Sequence, residues 1–176
     1  VDDDNDALSF SASSDNVNVA VDVDGTTLTA TPSADYFGSA TVTVTVTDGD
    51  LSDSTDFVLT VSPVNDAPEL DALVNDTTAE ETDYVLELSA FDVEDDDLLY
   101  FSSVDGNGSV VVDGTTLTVA PAIDFNGDIL VTITVSDGSL TDENSFVLTV
   151  TPVNDAPVVN DIITSTNEDI SLDITF

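Results

Sequence analysis

Apolar and polar residues alternate along most of this chain. Val42, Val44 and Val46 are interleaved with Thr41, Thr43, Thr45 and Thr47. Val131, Ile133 and Val135 repeat the pattern downstream. Phe57/Leu59/Val61, Val17/Val19/Val21/Val23 and Leu86/Leu88/Ala90 add further runs of period two. Such a period puts every second side chain on one face, so each run predicts a strand with one buried and one wetted side. Helical spacing occurs over no useful length. Asp-Gly and Asn-Gly pairs divide the runs, as tight turns require. About seven short strands in roughly 90 residues predict an all-β chain of antiparallel, immunoglobulin-like β-sandwiches.

The pattern occurs twice. VNDAP at Val64–Pro68 returns at Val153–Pro157, an interval of 89 residues. DGTT (Asp24, Asp113), the Asp35-Tyr36-Phe37-Gly38 and Asp124-Phe125-Asn126-Gly127 segments, TV-x-DG (Thr45, Thr134) and FVLTV (Phe57, Phe146) keep the same interval. An acidic motif, Asp2-x-Asp4-x-Asp6, matches Asp92-x-Glu94-x-Asp96 at an interval of 90. Tyr36 and Phe125 are expected to plug a corner of each sandwich. The repeat divides the chain into residues 1–66, a domain without its first strand, residues 67–155, a complete domain, and residues 156–176, the first strand of a next repeat. Leu172, Ile174 and Phe176 match Leu86, Leu88 and Ala90, and Val1-Asp2 matches Phe91-Asp92, so Phe176 would join Val1 without a gap. One period of a long covalent array is expected. Separate subunits joined by strand addition are the alternative.

Composition narrows the chemistry. The chain has 176 residues, 37 of them acidic, with no Lys, Arg, His or Cys, and a formal charge of −37. Hydrophobic residues make up 41%, which argues for a packed fold over an acidic disordered segment. Self-repulsion opposes that fold unless cations gather from solution. Imidazole and thiolate metal sites, Ser–His and Cys–His nucleophiles, disulfides and Schiff bases are excluded. Nucleic acid and anionic membranes would be repelled. No run reaches the roughly 20 apolar residues of a membrane span, so direct membrane insertion is not expected. Paired carboxylates also occur in glycosidases, but the acids here lie in linkers and Trp is absent, so no enzyme is expected.

Oxygen ligands remain, and calcium takes 6–8 of them. Asp92, Glu94 and Asp96 alternate just before a strand, and Asn65 and Asp66 lie one strand upstream; together they make a candidate calcium site at the domain junction. Asp2, Asp4 and Asp6, and Asn154 and Asp155, are the corresponding half-sites of neighbouring junctions. Asp48 and Asp137, in the Asp-Gly turns, are expected to add a carboxylate from the preceding domain. Glu80, Glu81 and Glu168 are weaker candidates. An EF-hand is excluded: its sixth position is Ala7 or Asp97 where Gly is needed, and its twelfth is Ser13 or Ser103 where Glu is needed.

The runs Asp35–Pro68 and Asp124–Pro157 resemble bacterial tandem cadherin-like repeats ending in VNDAP, and the resemblance covers essentially the whole chain. It implies β-sandwiches in a linear array, interdomain calcium, and a place in a secreted adhesin or surface fibre. Asn65, Asp66, Asn154, Asp155, Asp92, Glu94, Asp2 and Asp4 would then be ligands. The first linker Asp of animal cadherins is replaced by Pro63 and Pro152. The implied partners are neighbouring repeats of the same protein, covalent or by strand addition, and other fibres. A spacer module of a secreted enzyme is the alternative function.

Overall fold

The computed structural model describes residues 7–94, 97–157 and 164–174. Asp2, Asp4, Asp6 and Asp96 lie outside them. The described residues contain strands and no helix. Residues 69–151 form the fuller sandwich. One sheet has the order β10 (Leu99–Val104), β13 (Gly127–Ser136), β14 (Thr141–Thr151) and β7 (Asp76–Ala79). The other has β11 (Gly108–Asp113), β12 (Thr116–Pro121) and β8 (Tyr84–Glu87). A short ladder joins β6 (Glu69–Leu70) to β9 (Ala90–Phe91).

The alternation in β13 is realised residue by residue: Ile129, Val131, Ile133 and Val135 are fully buried, with half-buried Thr132 and Thr134 between them. They pack with Leu117, Val119, Phe146, Leu148 and Val150 in one core drawn from both sheets. The Tyr84 ring lies 5.8 Å from that of Phe146, joining β8 to β14 across it. One ladder departs from the antiparallel expectation. β7 runs parallel to β14, from Leu148↔Asp76 to Thr151↔Ala79. The chain therefore passes β7 in one sheet, turns at Glu80–Glu81, and returns as β8 in the other.

Among the described residues, the first sandwich has five strands: β1 (Ser9–Ser14), β4 (Gly38–Thr47) and β5 (Ser52–Val61) in one sheet, and the hairpin β2 (Val19–Asp24) with β3 (Thr27–Pro32). Among the described residues, nothing pairs with the outer edge of β5 or of β3, where the second sandwich has β7 and β8. Its core is correspondingly open. Phe57 is 42% exposed where its counterpart Phe146 is 2% exposed.

The aromatic corners form as expected. Asp35 (φ 58°) and Asp124 (φ 57°) turn the chain, and the aromatic ring folds over the following glycine. A Cβ on Gly127 would meet Phe125 Cζ at 3.2 Å, a tight contact, and its φ of 139° favours glycine there. Tyr36 also donates its hydroxyl to Ser39 O at 2.9 Å.

Residues 164–174 carry a turn that repeats the one after β7. Thr166 Oγ1 donates to Ile170 O at 3.1 Å, as Thr78 Oγ1 does to Thr82 O at 3.1 Å. Asp169 (φ 66°) takes the left-handed position of Glu81 (φ 60°). This aligns Glu168 with Glu80 at an interval of 88. Continued without a gap, it pairs Leu172 with Tyr84 and Ile174 with Leu86, two residues from the pairing read in the sequence. A slip of two keeps every side chain on its face.

Candidate metal centre

The first linker, Val64–Pro68, enters the second sandwich at the end that carries the start of β14. One carboxylate of the acidic motif meets it there, and a second braces the first. The Asp66 N–H donates to Glu94 Oε2 at 3.1 Å, and the Glu94 N–H donates to Asp92 Oδ1 at 3.0 Å. Asp92 is only 6% exposed, and its buried Oδ2 has no hydrogen-bond partner among the described residues. The chain contains no cationic side chain to pair with it. A buried, charged oxygen without a partner is costly, and native folds supply one as a donor or an ion.

Asn65 joins this group from the linker. Its Nδ2 donates to Asp137 Oδ2 at 2.8 Å and to Asp66 O at 3.0 Å. Asp137 also accepts from the Ser139 and Leu140 N–H groups at 2.6 and 2.7 Å. The Leu140 N–H, then that of Ser139, then the Asn65 amide hold its carboxyl below the usual carboxylate range. Asp48 is held low in the same way by the Leu51 and Asp50 N–H groups.

The placement of both turn aspartates corrects the expectation from sequence. Asp137 meets Asn65 of the linker that precedes its own sandwich, not the linker that follows it. β14, of 11 residues, carries the chain roughly 35 Å from Asp137 to the second linker at about 3.3 Å per residue. β5 likewise separates Asp48 from Asn65 and Asp66, so Asp48 belongs to the far end of the first sandwich.

At the second linker, Glu80 takes a larger part than its place among the weaker candidates suggests. It is 5% exposed, and its Oε1 accepts from the Val153 N–H. Its own N–H donates to Thr151 O at 2.9 Å. The parallel pairing of β7 with β14 brings it there. Asn154 braces Asp155 O at 3.1 Å, as Asn65 braces Asp66 O. Both residues are otherwise exposed.

A cleft of about 250 Å³ opens between the first sandwich and the first linker, lined by Asp35, Phe37, Pro63, Asp66 and Glu94 among others. Among the described residues, no three acidic side chains are gathered closely enough to make a ready metal cage. The donor set is nonetheless all oxygen, linker and sandwich both contribute, and one buried carboxylate oxygen lacks a partner among those residues. The residues fit a hard cation such as calcium.

The cadherin-like domain family matches residues 64–151, half of the chain. The chain belongs to the cadherin-like domain family. A bacterial Ig domain matches residues 1–61 of this cadherin-like chain. No curated protein matches it. Among solved structures, human protocadherin-24 EC1-2 is similar at a TM-score of 0.57 and 16% identity, over 88% of this chain and 85% of that one. An endo-fucoidan hydrolase of glycoside hydrolase family 107 is similar at a TM-score of 0.42 and 21% identity, over 86% of this chain. The cadherin-like chain spans only 24% of that hydrolase. Domains 4 and 5 of the S-layer protein SbsC are similar at a TM-score of 0.40 and 20% identity, over 80% of this chain and 70% of that one.

Proposed function

We propose that this cadherin-like chain is a calcium-stiffened structural repeat of a long extracellular adhesin or surface fibre. Residues 1–66 and 67–155 act as successive rigid units, and residues 156–176 begin a further one. The observation that carries the reading is the buried Oδ2 of Asp92, without a partner among the described residues, at the mouth of the first linker. It lies in a chain of formal charge −37 with no internal cation.

Asn65, Asp66, Asp92, Glu94 and Asp137 would hold calcium at the first junction. Glu80, Asn154 and Asp155 would contribute at the second, and Asp96, Asp2, Asp4 and Asp6 would complete the acidic motifs. When bound, calcium supplies the positive charge that the chain lacks. The protein residues do the positioning. Asn65 ties the linker to the β13–β14 turn, and Glu94 ties it to the acidic loop. Pro68 fixes φ at the exit and removes a donor. Extracellular placement is supported by the family and by oxygen-only chemistry suited to a calcium-rich medium.

Small-angle scattering tests the proposal. Chelation should broaden the distribution of interdomain distances and shorten its mean, because nothing then fixes the angle between successive units across the linker. Profiles that superimpose with and without chelator would remove the stiffening role.

A further inference from the structure

The acidic loop that carries Asp92 hangs on very little backbone. Asp92 follows β9 directly, and among the described residues β9 pairs with β6 alone, over Glu69↔Phe91 and Leu70↔Ala90. One further bond, from the Asp71 N–H to Ser89 O at 2.9 Å, extends that ladder. So short a ribbon is not stable by itself, and β6 needs support from its other side. A side chain of β14 supplies it. Asp142, half-buried at the second position of β14, accepts from the Leu70 N–H with Oδ2 at 2.9 Å. Its Oδ1 accepts from the Glu143 N–H at 2.8 Å, which fixes the plane of the carboxylate. Leu70 itself is 5% exposed and belongs to the core. The bond is one of a series. Asn65 with Asp137, Leu70 with Asp142 and Asn75 with Val147 are each 72 residues apart. The β7–β14 ladder, from Asp76↔Leu148, keeps the same offset. The chain from the linker to β7 thus follows the start of β14 in parallel, bridged by side chains until backbone rungs take over.

We propose that Asp142 is a positioning residue of the first junction: through Leu70 and the β6–β9 ladder it sets Asp92 and Glu94 against the linker. It acts through the backbone and not as a ligand, since both its oxygens already accept from N–H groups. The path is short. Asp142 holds Leu70, the ladder aligns Ala90 and Phe91 with it, and Phe91 leads into Asp92. Asp92 Oδ1 then accepts from the Glu94 N–H, and Glu94 Oε2 from the Asp66 N–H. Pro68, which is buried, immediately precedes β6. One carboxylate therefore registers both the exit of the linker and the loop that meets it. The internal repeat retains this aspartate as Asp53, 89 residues earlier, with the same bond to the following N–H at 2.9 Å. The three residues after it differ, Ser54-Thr55-Asp56 against Glu143-Asn144-Ser145. The use of this geometry for calcium rests on the function proposed above; the positioning itself does not.

Amide hydrogen exchange of the full chain without calcium, read by NMR, tests the positioning. Asp142→Ala should speed exchange at the Asp66 and Glu94 N–H groups by about fivefold or more, beyond any change shared by Val131 and Ile133, whose amides report the sandwich as a whole. Asn75→Ala removes the bond to the Val147 N–H, at the same offset but farther from the loop. It should leave Asp66 and Glu94 within about twofold of wild type. Asp142→Asn removes the charge but keeps an acceptor for Leu70, and should lie nearer wild type than Asp142→Ala does. Calcium titration of the same proteins, followed at the Asn65 side-chain and Glu94 backbone signals, adds the second readout. Asp142→Ala should weaken binding about tenfold, the lower end for residues that orient metal ligands. A wild type that binds no calcium would end the calcium reading, and the exchange data alone would then decide the positioning. Several results would overturn the role of Asp142. These are unchanged exchange at Asp66 and Glu94 in Asp142→Ala, an equal effect of Asn75→Ala, and equal calcium affinity in wild type and Asp142→Ala. Equal losses in Asp142→Asn and Asp142→Ala would also overturn it, because they mark a charge effect. Should Asp142→Ala not fold, the wild type still answers: a Leu70 amide that exchanges as fast as in an unstructured peptide would remove the bond on which the role depends.

Discussion

Asp92→Asn separates an ion site from simple charge screening. The carboxylate is 6% exposed, one oxygen accepts from Glu94 N–H at 3.0 Å, and the other has no partner among the described residues. Leaving a buried polar group unsatisfied costs about 1–3 kcal/mol, more when it is charged. A domain of this size shifts by roughly 4–8 °C in Tm per kcal/mol. Without calcium, replacing the charge by a neutral amide should therefore leave Tm unchanged or raise it by several degrees. With calcium at about 100 times its Kd, the wild-type second sandwich should gain roughly 2.7 kcal/mol, about 10–20 °C. The variant should lose most of that gain. Calorimetry at constant ionic strength, with calcium exchanged for sodium or magnesium, reads both quantities. An equal calcium increment in wild type and variant would refute the role of Asp92. A wild-type increment reproduced by sodium at matched ionic strength would refute a specific site altogether.

Phe146→Ala should lower the stability of the second sandwich by about 3–5 kcal/mol, the usual range for emptying a buried aromatic site. Phe57→Ala, at 42% exposure, should cost less than half as much; paired denaturant titrations compare them. Asp137 should titrate below its ordinary value of 3.8 when followed by carboxyl NMR, and Asn65→Ala should move it upward. The sign follows from a folded-state pKa that is depressed. The contribution of these turn bonds is present above the unfolded value and is lost as pH falls through the folded one, so the turn should loosen only below about pH 3.8.

Much of the fold was legible because period two is a local property. The run from Ile129 to Val135 needs no partner to declare which face is inward. The direction of pairing is not local, and the parallel β7–β14 ladder was hidden for that reason. Its consequence, the burial of Glu80, was hidden with it. The place of Asp137 was legible only by counting: the 11 residues of β14 part it from the second linker, and it accepts from Asn65 of the first. The two FVLTV strands show the limit most plainly. Phe57 and Phe146 have the same four residues after them, yet one is exposed and the other buried. The difference lies in a strand contributed from distant sequence.

The parallel ladder also decides how the molecule meets tension. Force on the chain pulls β7 toward the first linker and β14 toward the second. Because these strands run side by side in the same direction, the pull slides one along the other. The four register pairs from Asp76 to Ala79 are then loaded together in shear, whereas an antiparallel hairpin pulled from its open end would unzip rung by rung. The outermost strand of the sandwich is thus its mechanical clasp, and an extended array of such units would yield at the clasp before its cores gave way.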